Sequence, residues 1–227
     1  MKLSNTTLGI LVAAVIGGAL FLYVTSNYDV NVIEKAPVFS ANGMISDYED
    51  WAEDYNPADH EGKAFDPENS LVVGLSVGGP LIIEMYPDIA PAHVQRFKDL
   101  ARANFYDGIV FHRVMEGFMA QGGDPTGTGG GGSDLPDLKA EFNDIPHTKG
   151  IMSMARSQSP DSANSQFFIM FDDAPFLDGQ YTAWGKVISG IEFVDAIQRG
   201  DLNQNGSVPE EVRTSITFMK VAADITG

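Results

Sequence analysis

From Leu8 to Val24 the chain runs without a formal charge, and as a helix those residues would span about 26 Å at ~1.5 Å per residue. That length sits near the minimum for crossing a bilayer, so the pattern predicts a transmembrane helix, with 1–25 serving as anchor or signal. Lys2 before the run and acidic sequence after it put the amino end in the cytoplasm by the positive-inside tendency. No Ala-x-Ala site follows, which favours an uncleaved anchor over a signal cut near Val24-Thr25-Ser26. Residues 26–69 then lose any regular hydrophobic period. Asp47, Glu49, Asp50, Glu53, Asp54, Asp59 and Glu61 are interleaved there with Tyr48, Trp51, Tyr55 and Phe65. This reads as a solvated, extended acidic linker, the alternative being a segment that docks or wraps over the following domain.

At Ser70 the pattern changes. Leu71, Val73, Leu75 and Val77 alternate with smaller residues, Gly78-Gly79 reads as a turn, and Leu81 to Met85 returns as the second arm of a hairpin. Pro91 opens an amphipathic helix with Val94, Phe97, Leu100 and Ala101 on one stripe, ending near Ala103-Asn104. Short strands and glycine turns follow to about Gly185. Val187-Ile188 gives a strand edge, Gly190 to Arg199 a second amphipathic helix with Ile191, Val194 and Ile197, and Ser215 to Ala222 a closing strand. Many short strands with two helices predict a mainly β fold, a barrel capped by helices, over residues 70–227.

Charge sharpens the boundary. Residues 25–69 carry 11 acidic and 2 basic side chains, a net of −9. Residues 70–227 carry 20 and 11, also −9, and with Lys2 the total is −17. Such a balance repels phosphates and argues against a nucleic-acid partner. With no cysteine, disulfides, thiolate metal sites and a cysteine nucleophile are excluded.

Three motifs fail on inspection. The glycine run Gly127 to Ser133 lacks the Gly-Lys-Ser/Thr that would make it a phosphate cradle, so it reads as a flexible loop. Asp201-x-Asn203-x-Asn205-Gly206 opens like a calcium loop but reaches Val212 where a bidentate glutamate is needed, and reads as a polar turn. His60 between Asp59 and Glu61 has poor ligand spacing and reads as solvated. No cofactor and no metal are expected.

The stretch Phe111-His112-Arg113-Val114-Met115-Glu116-Gly117-Phe118-Met119-Ala120-Gln121-Gly122-Gly123-Asp124 carries the chemistry. Its arginine is a fixed donor that cannot act as a general acid or base. A core would not interleave Arg113 and Gln121 with its aromatics, because unpaired buried polar groups are costly. His112, next to Arg113 on an alternating strand, points to the opposite face and reads as structural. A companion stretch holds Ser153-Met154-Ala155-Arg156 and then Asn164-Ser165-Gln166-Phe167-Phe168-Ile169. Together the two segments resemble the cyclophilin family of peptidyl-prolyl cis/trans isomerases, over roughly Ser70 to Ala223.

The resemblance implies an eight-stranded antiparallel barrel with a helix over each end. It implies that Arg113 is the catalytic arginine, working with Phe118 and Gln121. It further implies a substrate groove made by Met119, Ala155, Arg156, Gln166, Phe168, Phe176, Leu177 and Tyr181. Phe176 stands where many members carry Trp, and Tyr181 where many carry His; both keep an aromatic wall while removing an N–H donor. Arg156 replaces a common Asn and suggests altered peptide preference. The expected function is therefore isomerisation of Xaa-Pro bonds in unfolded or newly exported polypeptides. The monomeric enzyme would be tethered through residues 8–24, with its domain in the periplasm or, after cleavage, soluble there. A proline-peptide-binding or chaperone module without turnover is the alternative.

Overall fold

The computed structural model describes the backbone of residues 11–16, 19–24 and 41–225, and side chains from Tyr48 to Ile225. The chain divides into two units, Met1–Val38 and Phe39–Gly227. In the first, β1 (Leu11–Ile16) pairs antiparallel with β2 (Ala19–Val24), Ile16 opposite Ala19. This corrects the expected transmembrane helix. The run is rich in β-branched and aromatic residues and is divided in sequence by Gly17-Gly18, a dipeptide suited to hairpin loops. Among the described residues no helix is long and apolar enough to cross a membrane.

The second unit begins with helix α1 (Ala41–Asp54), which corrects the expectation of an extended linker over this part of 26–69. Tyr48, Trp51, Ala52 and Tyr55 fall at helical spacing on one face, while Glu49, Asp50, Glu53 and Asp54 are exposed. Tyr48 is fully buried with Val72, Ile82 and Ala222, and Trp51, Ala52 and Phe65 pack around them. His60 is not simply solvated: its ring stacks on Tyr55 at 4.4 Å. Acidity on one face therefore accompanies an aromatic seam on the other.

The main sheet contains β3 (Ser70–Leu75), β4 (Gly78–Met85), β5 (Arg113–Met115), β6 (Met119–Gly122), β7 (Ile151–Met154), β8 (Phe167–Met170), β9 (Ala183–Ser189) and β10 (Ile216–Val221). All neighbours are antiparallel, in the order β10-β3-β4-β9-β7-β8-β6-β5. The sheet curls until residues 108–111, just before β5, meet β10. Phe111 N–H donates to Thr214 O at 2.9 Å and Ile216 N–H to Ile109 O at 2.8 Å.

Every residue of β3 is buried. Leu71, Val73 and Leu75 face the core while Val72 lies under α1, so both faces are covered and the strand reads as a nearly continuous apolar run. The hairpin turn lies at Ser76-Val77, two residues before the expected glycines. Gly78 is glycine for another reason: its φ is +140° and a Cβ there would lie 2.3 Å from the Phe193 ring.

Helix α2 (Pro91–Arg102) matches the expected stripe, with Val94, Phe97, Leu100 and Ala101 buried. Its amino end is capped from far away: the Glu141 carboxylate accepts from Ala92 N–H at 3.0 Å and His93 N–H at 3.1 Å. Phe97 stacks on Trp184 at 3.7 Å in the main core. The second expected helix is much shorter, only α3 (Ile191–Asp195). Past it the chain leaves helical pairing and Gln198 N–H donates to Thr214 Oγ1 instead. Ile197 still reaches the core, which explains why its spacing looked helical.

Candidate active site

Alternation along β6, β7 and β8 divides their side chains between two faces. Ala120, Met152, Met154, Phe167 and Ile169 enter the main core. Met119, Ile151, Phe168 and Met170 form a second cluster, against which Phe118, Ala155 and Tyr181 pack. The pocket is therefore built on the outer face of the sheet. Register aligns its parts: Arg113 pairs with Gln121, Gln121 with Phe168, and Phe168 with Ser153.

A cavity of about 270 Å³ is lined by Arg113, Phe118, Met119, Gln121, Ala155, Arg156, Phe168, Phe176, Leu177 and Tyr181. Ten of the eleven side chains singled out from sequence thus come together. Gln166 is the exception. It lies in an adjoining polar groove of about 410 Å³, which also contains Gly129 to Ser133 and shares Gln121, Ala155 and Arg156 with the pocket.

The apolar walls are aromatic. Phe168 meets Tyr181 edge-on at 5.7 Å, and Phe118 lies 5.7 Å from Phe176. Phe176 is 64% exposed, a rim residue rather than a floor. Behind Phe168 the buried His147 ring lies 6.2 Å away, its plane tilted by 23°. The Asp178 carboxylate is 2.9 Å from His147 Nδ1 and accepts from His147 N–H at 2.8 Å. That backbone hydrogen bond, then the side-chain one, holds the Asp178 carboxyl below its usual range. His147 Nε2 also approaches Ser153 Oγ at 3.0 Å, so the floor and the rim segment share one anchor.

Arg113 is half-buried and, among the described residues, held without a carboxylate. Its Nε donates to Asn205 O at 2.9 Å, Nη2 to Asn205 Oδ1 at 3.0 Å, and Nη1 to Gln121 Oε1 at 3.3 Å. Burial pulls its pKa down from the usual value. Gln121 Nε2 donates onward to Gln166 Oε1 at 2.9 Å, and Gln166 Nε2 to Gly131 O at 2.8 Å. Each amide is thereby oriented, and Gln121 turns its oxygen to the guanidinium.

Several residues at this site escaped sequence reasoning. Asn205 belongs to the polar turn that resembled a calcium loop. It sits at φ +56°, an αL conformation that Asn tolerates. The Asp201 carboxylate of that turn accepts from Asn203 N–H and Gln204 Nε2. The glycine run likewise has an internal partner: Asp124 accepts from the N–H groups of Thr126, Thr128 and Gly129 at 2.6–3.0 Å. Burial pushes this carboxyl up, yet the hydrogen bonds outweigh it and hold the pKa at about 2. His112 is buried, as its structural reading required, and that burial lowers its pKa.

The fold and pocket define a curled eight-stranded antiparallel half-barrel that presents an aromatic pocket beside a fixed guanidinium. A family model for cyclophilin type peptidyl-prolyl cis-trans isomerase/CLD matches residues 72–221. A probable peptidyl-prolyl cis-trans isomerase of Brucella suis biovar 1 is 51% identical over 156 residues, covering 64% of this chain and 79% of that relative. Peptidyl-prolyl cis-trans isomerase B of Bacillus subtilis is 45% identical over 130 residues, covering 56% and 90%. Among solved structures, a cyclophilin from Hirschia baltica superposes with a TM-score of 0.62 at 28% identity, covering 70% of this chain and 76% of that one. A Cryptosporidium parvum cyclophilin type isomerase, crystallised in the presence of the dipeptide Ala-Pro, gives 0.60 at 28% identity, covering 67% and 98%. The chain belongs to the cyclophilin-type peptidyl-prolyl cis-trans isomerase family, and its reaction is the isomerisation of peptidyl-prolyl bonds.

Proposed function

We propose that Arg113 accelerates this reaction by stabilising the twisted prolyl amide while the aromatic pocket grips the ring. The uncatalysed barrier of ~18–20 kcal/mol comes from amide resonance, whereas cis and trans differ by only ~0.5–1 kcal/mol. The enzyme therefore needs to favour only the twisted state, in which resonance is lost and the proline nitrogen gains a lone pair. A preorganised cation aimed at that nitrogen and the proline carbonyl does so without proton transfer. One observation carries the reading: Asn205 and Gln121 fix the guanidinium of Arg113 at the wall of a pocket whose lining includes Phe118, Met119, Phe168 and Tyr181. The Ala-Pro dipeptide present with the Cryptosporidium parvum relative supports proline peptides as the ligand class here. In the test, an Ala-Xaa-Pro peptide is isomerised by the full chain and by Arg113→Ala. Acceleration falling ~10²–10³-fold in the variant supports the role, as for loss of one preorganised donor; an unchanged rate overturns it.

The same proposal places the domain outside the cytoplasmic membrane, where unfolded and newly exported chains need prolines isomerised. The support is the order of the sequence alone, Lys2 and then the uncharged run from Leu8 to Val24, which is that of the basic start and apolar core of an export signal and needs no spanning helix. Protease accessibility in intact cells against spheroplasts tests the compartment. Digestion only after lysis of the inner membrane would refute it.

A further inference from the structure

Arg156 was expected to act on substrate through its charge, yet its guanidinium is engaged within the protein. Nη1 donates to Ser157 O at 3.0 Å and Nη2 to Gln180 O at 3.1 Å. The planar group lies 4.6 Å from the centroid of the Tyr181 ring and 5.5 Å from that of Phe142. Arg156 and Ser157 lie in the loop after β7, whereas Gln180 and Tyr181 belong to the rim segment after Leu177. One side chain thus joins two loops on either side of the pocket, and Tyr181 forms a pocket wall against Phe168.

We infer that Arg156 is a positioning residue, a brace that fixes Tyr181 and thereby the width of the proline pocket. A guanidinium suits this task because its donors lie in a rigid plane that can stack while bonding at its edge. A lysine keeps the charge but has no planar fork, so it cannot bond both carbonyls while stacked. The brace acts on a wall that grips substrate in its ground and twisted states alike, so its loss weakens uniform binding rather than turnover.

The inference rests on this pocket being the proline site, and Phe118→Ala tests that separately. Kinetics on the full chain would compare wild type, Arg156→Lys, Arg156→Gln and Phe142→Leu, using peptides with Glu, Ala or Lys before the proline. The brace predicts KM raised about three- to tenfold in both Arg156 variants, with kcat within twofold and the same change for all three peptides. Phe142→Leu, altering only an outer ring that is 40% exposed, should give a smaller rise in KM. Wild-type KM in Arg156→Lys, or a change seen only with the Glu peptide, would show a charge selector and overturn the brace. Should the Arg156 variants fail to fold by circular dichroism, an unchanged KM in Phe142→Leu would overturn it instead. Phe118→Ala losing activity while Arg156→Lys keeps its KM overturns the brace alone; full activity in Phe118→Ala overturns the pocket assignment beneath it.

Discussion

Asn205 holds Arg113 twice, its backbone carbonyl accepting from Nε at 2.9 Å and its side-chain oxygen from Nη2 at 3.0 Å. The two residues are 92 positions apart in sequence. Both acceptors come from one residue in an αL conformation, so the guanidinium plane is fixed as well as its position. Asn205→Ala keeps the carbonyl and loses the side-chain bond. A tenfold loss of kcat/KM corresponds to about 1.4 kcal/mol, just under the ~1.5–3 kcal/mol of a hydrogen bond to a charged group. We expect about that loss, read in kcat more than KM. A rate equal to wild type would mean the second bond is dispensable.

Gln121 should matter through its orientation. Gln121→Glu would place a carboxylate against Arg113 and lose the donor to Gln166. An ion pair there competes with the twisted amide for the guanidinium, so kcat should fall at least as far as in Gln121→Ala. Stopped-flow isomerisation of one proline peptide by both variants checks the order.

Tyr48 lies in the segment that sequence assigned to a linker, yet it is fully buried. Tyr48→Ala should cost about 3 kcal/mol, in the range for truncating a buried aromatic. Urea unfolding should show a lower midpoint, with KM for a proline peptide unchanged. Equal midpoints would mean that α1 contributes nothing to the stability of the barrel.

Asp124 predicts an acid transition. Its carboxyl titrates at about 2 in the folded chain and near ~3.9 when unfolded. The folded value is depressed, so the stabilisation is complete above pH ~4 and is lost as pH falls toward 2, on the order of 2 kcal/mol in all. Asp124→Asn should flatten that part of the stability–pH curve. A curve identical to wild type between pH 4 and 2 would contradict it.

Gly78 and Gly62 make a contrast. Both have positive φ, but a Cβ at Gly78 meets the Phe193 ring at 2.3 Å whereas nothing lies within 4 Å at Gly62. Gly78→Ala should destabilise by about 1–3 kcal/mol through overpacking as well as strain, and Gly62→Ala by about 1 kcal/mol through strain alone. Thermal unfolding of the two variants should keep that order.

What the sequence made legible was local and periodic. The α2 stripe and the arms of the β3–β4 hairpin could be read from spacing, whereas the outward residues of β6 and β8 were placed by the resemblance. The two motif stretches hold seven of the ten pocket residues, and the resemblance they carry to cyclophilins brought those and Phe176, Leu177 and Tyr181 to attention. Contacts between distant segments were not legible. Asn205 looked like part of a polar turn, and its partner lies far back in the chain. The acidic segment hid α1 because charge dominates its composition, although Tyr48, Trp51, Ala52 and Tyr55 already fall on one helical face. The uncharged run from Leu8 to Val24 reads by length as one helix. Its paired strands follow from β-branched content and a central Gly-Gly, signals that a hydropathy window ignores.

Phe167 and Phe168 are neighbours in the chain, yet one belongs to the interior and the other to the pocket. Because the pleat sends them to opposite sides, a change at one position need not be felt as a change at the other. Selection for new ligands can therefore act on outward residues such as Met119, Gln121 and Phe168, while selection for a folded barrel acts on Ala120, Phe167 and Ile169. The pocket can diversify between lineages without each experiment in recognition putting the scaffold at risk.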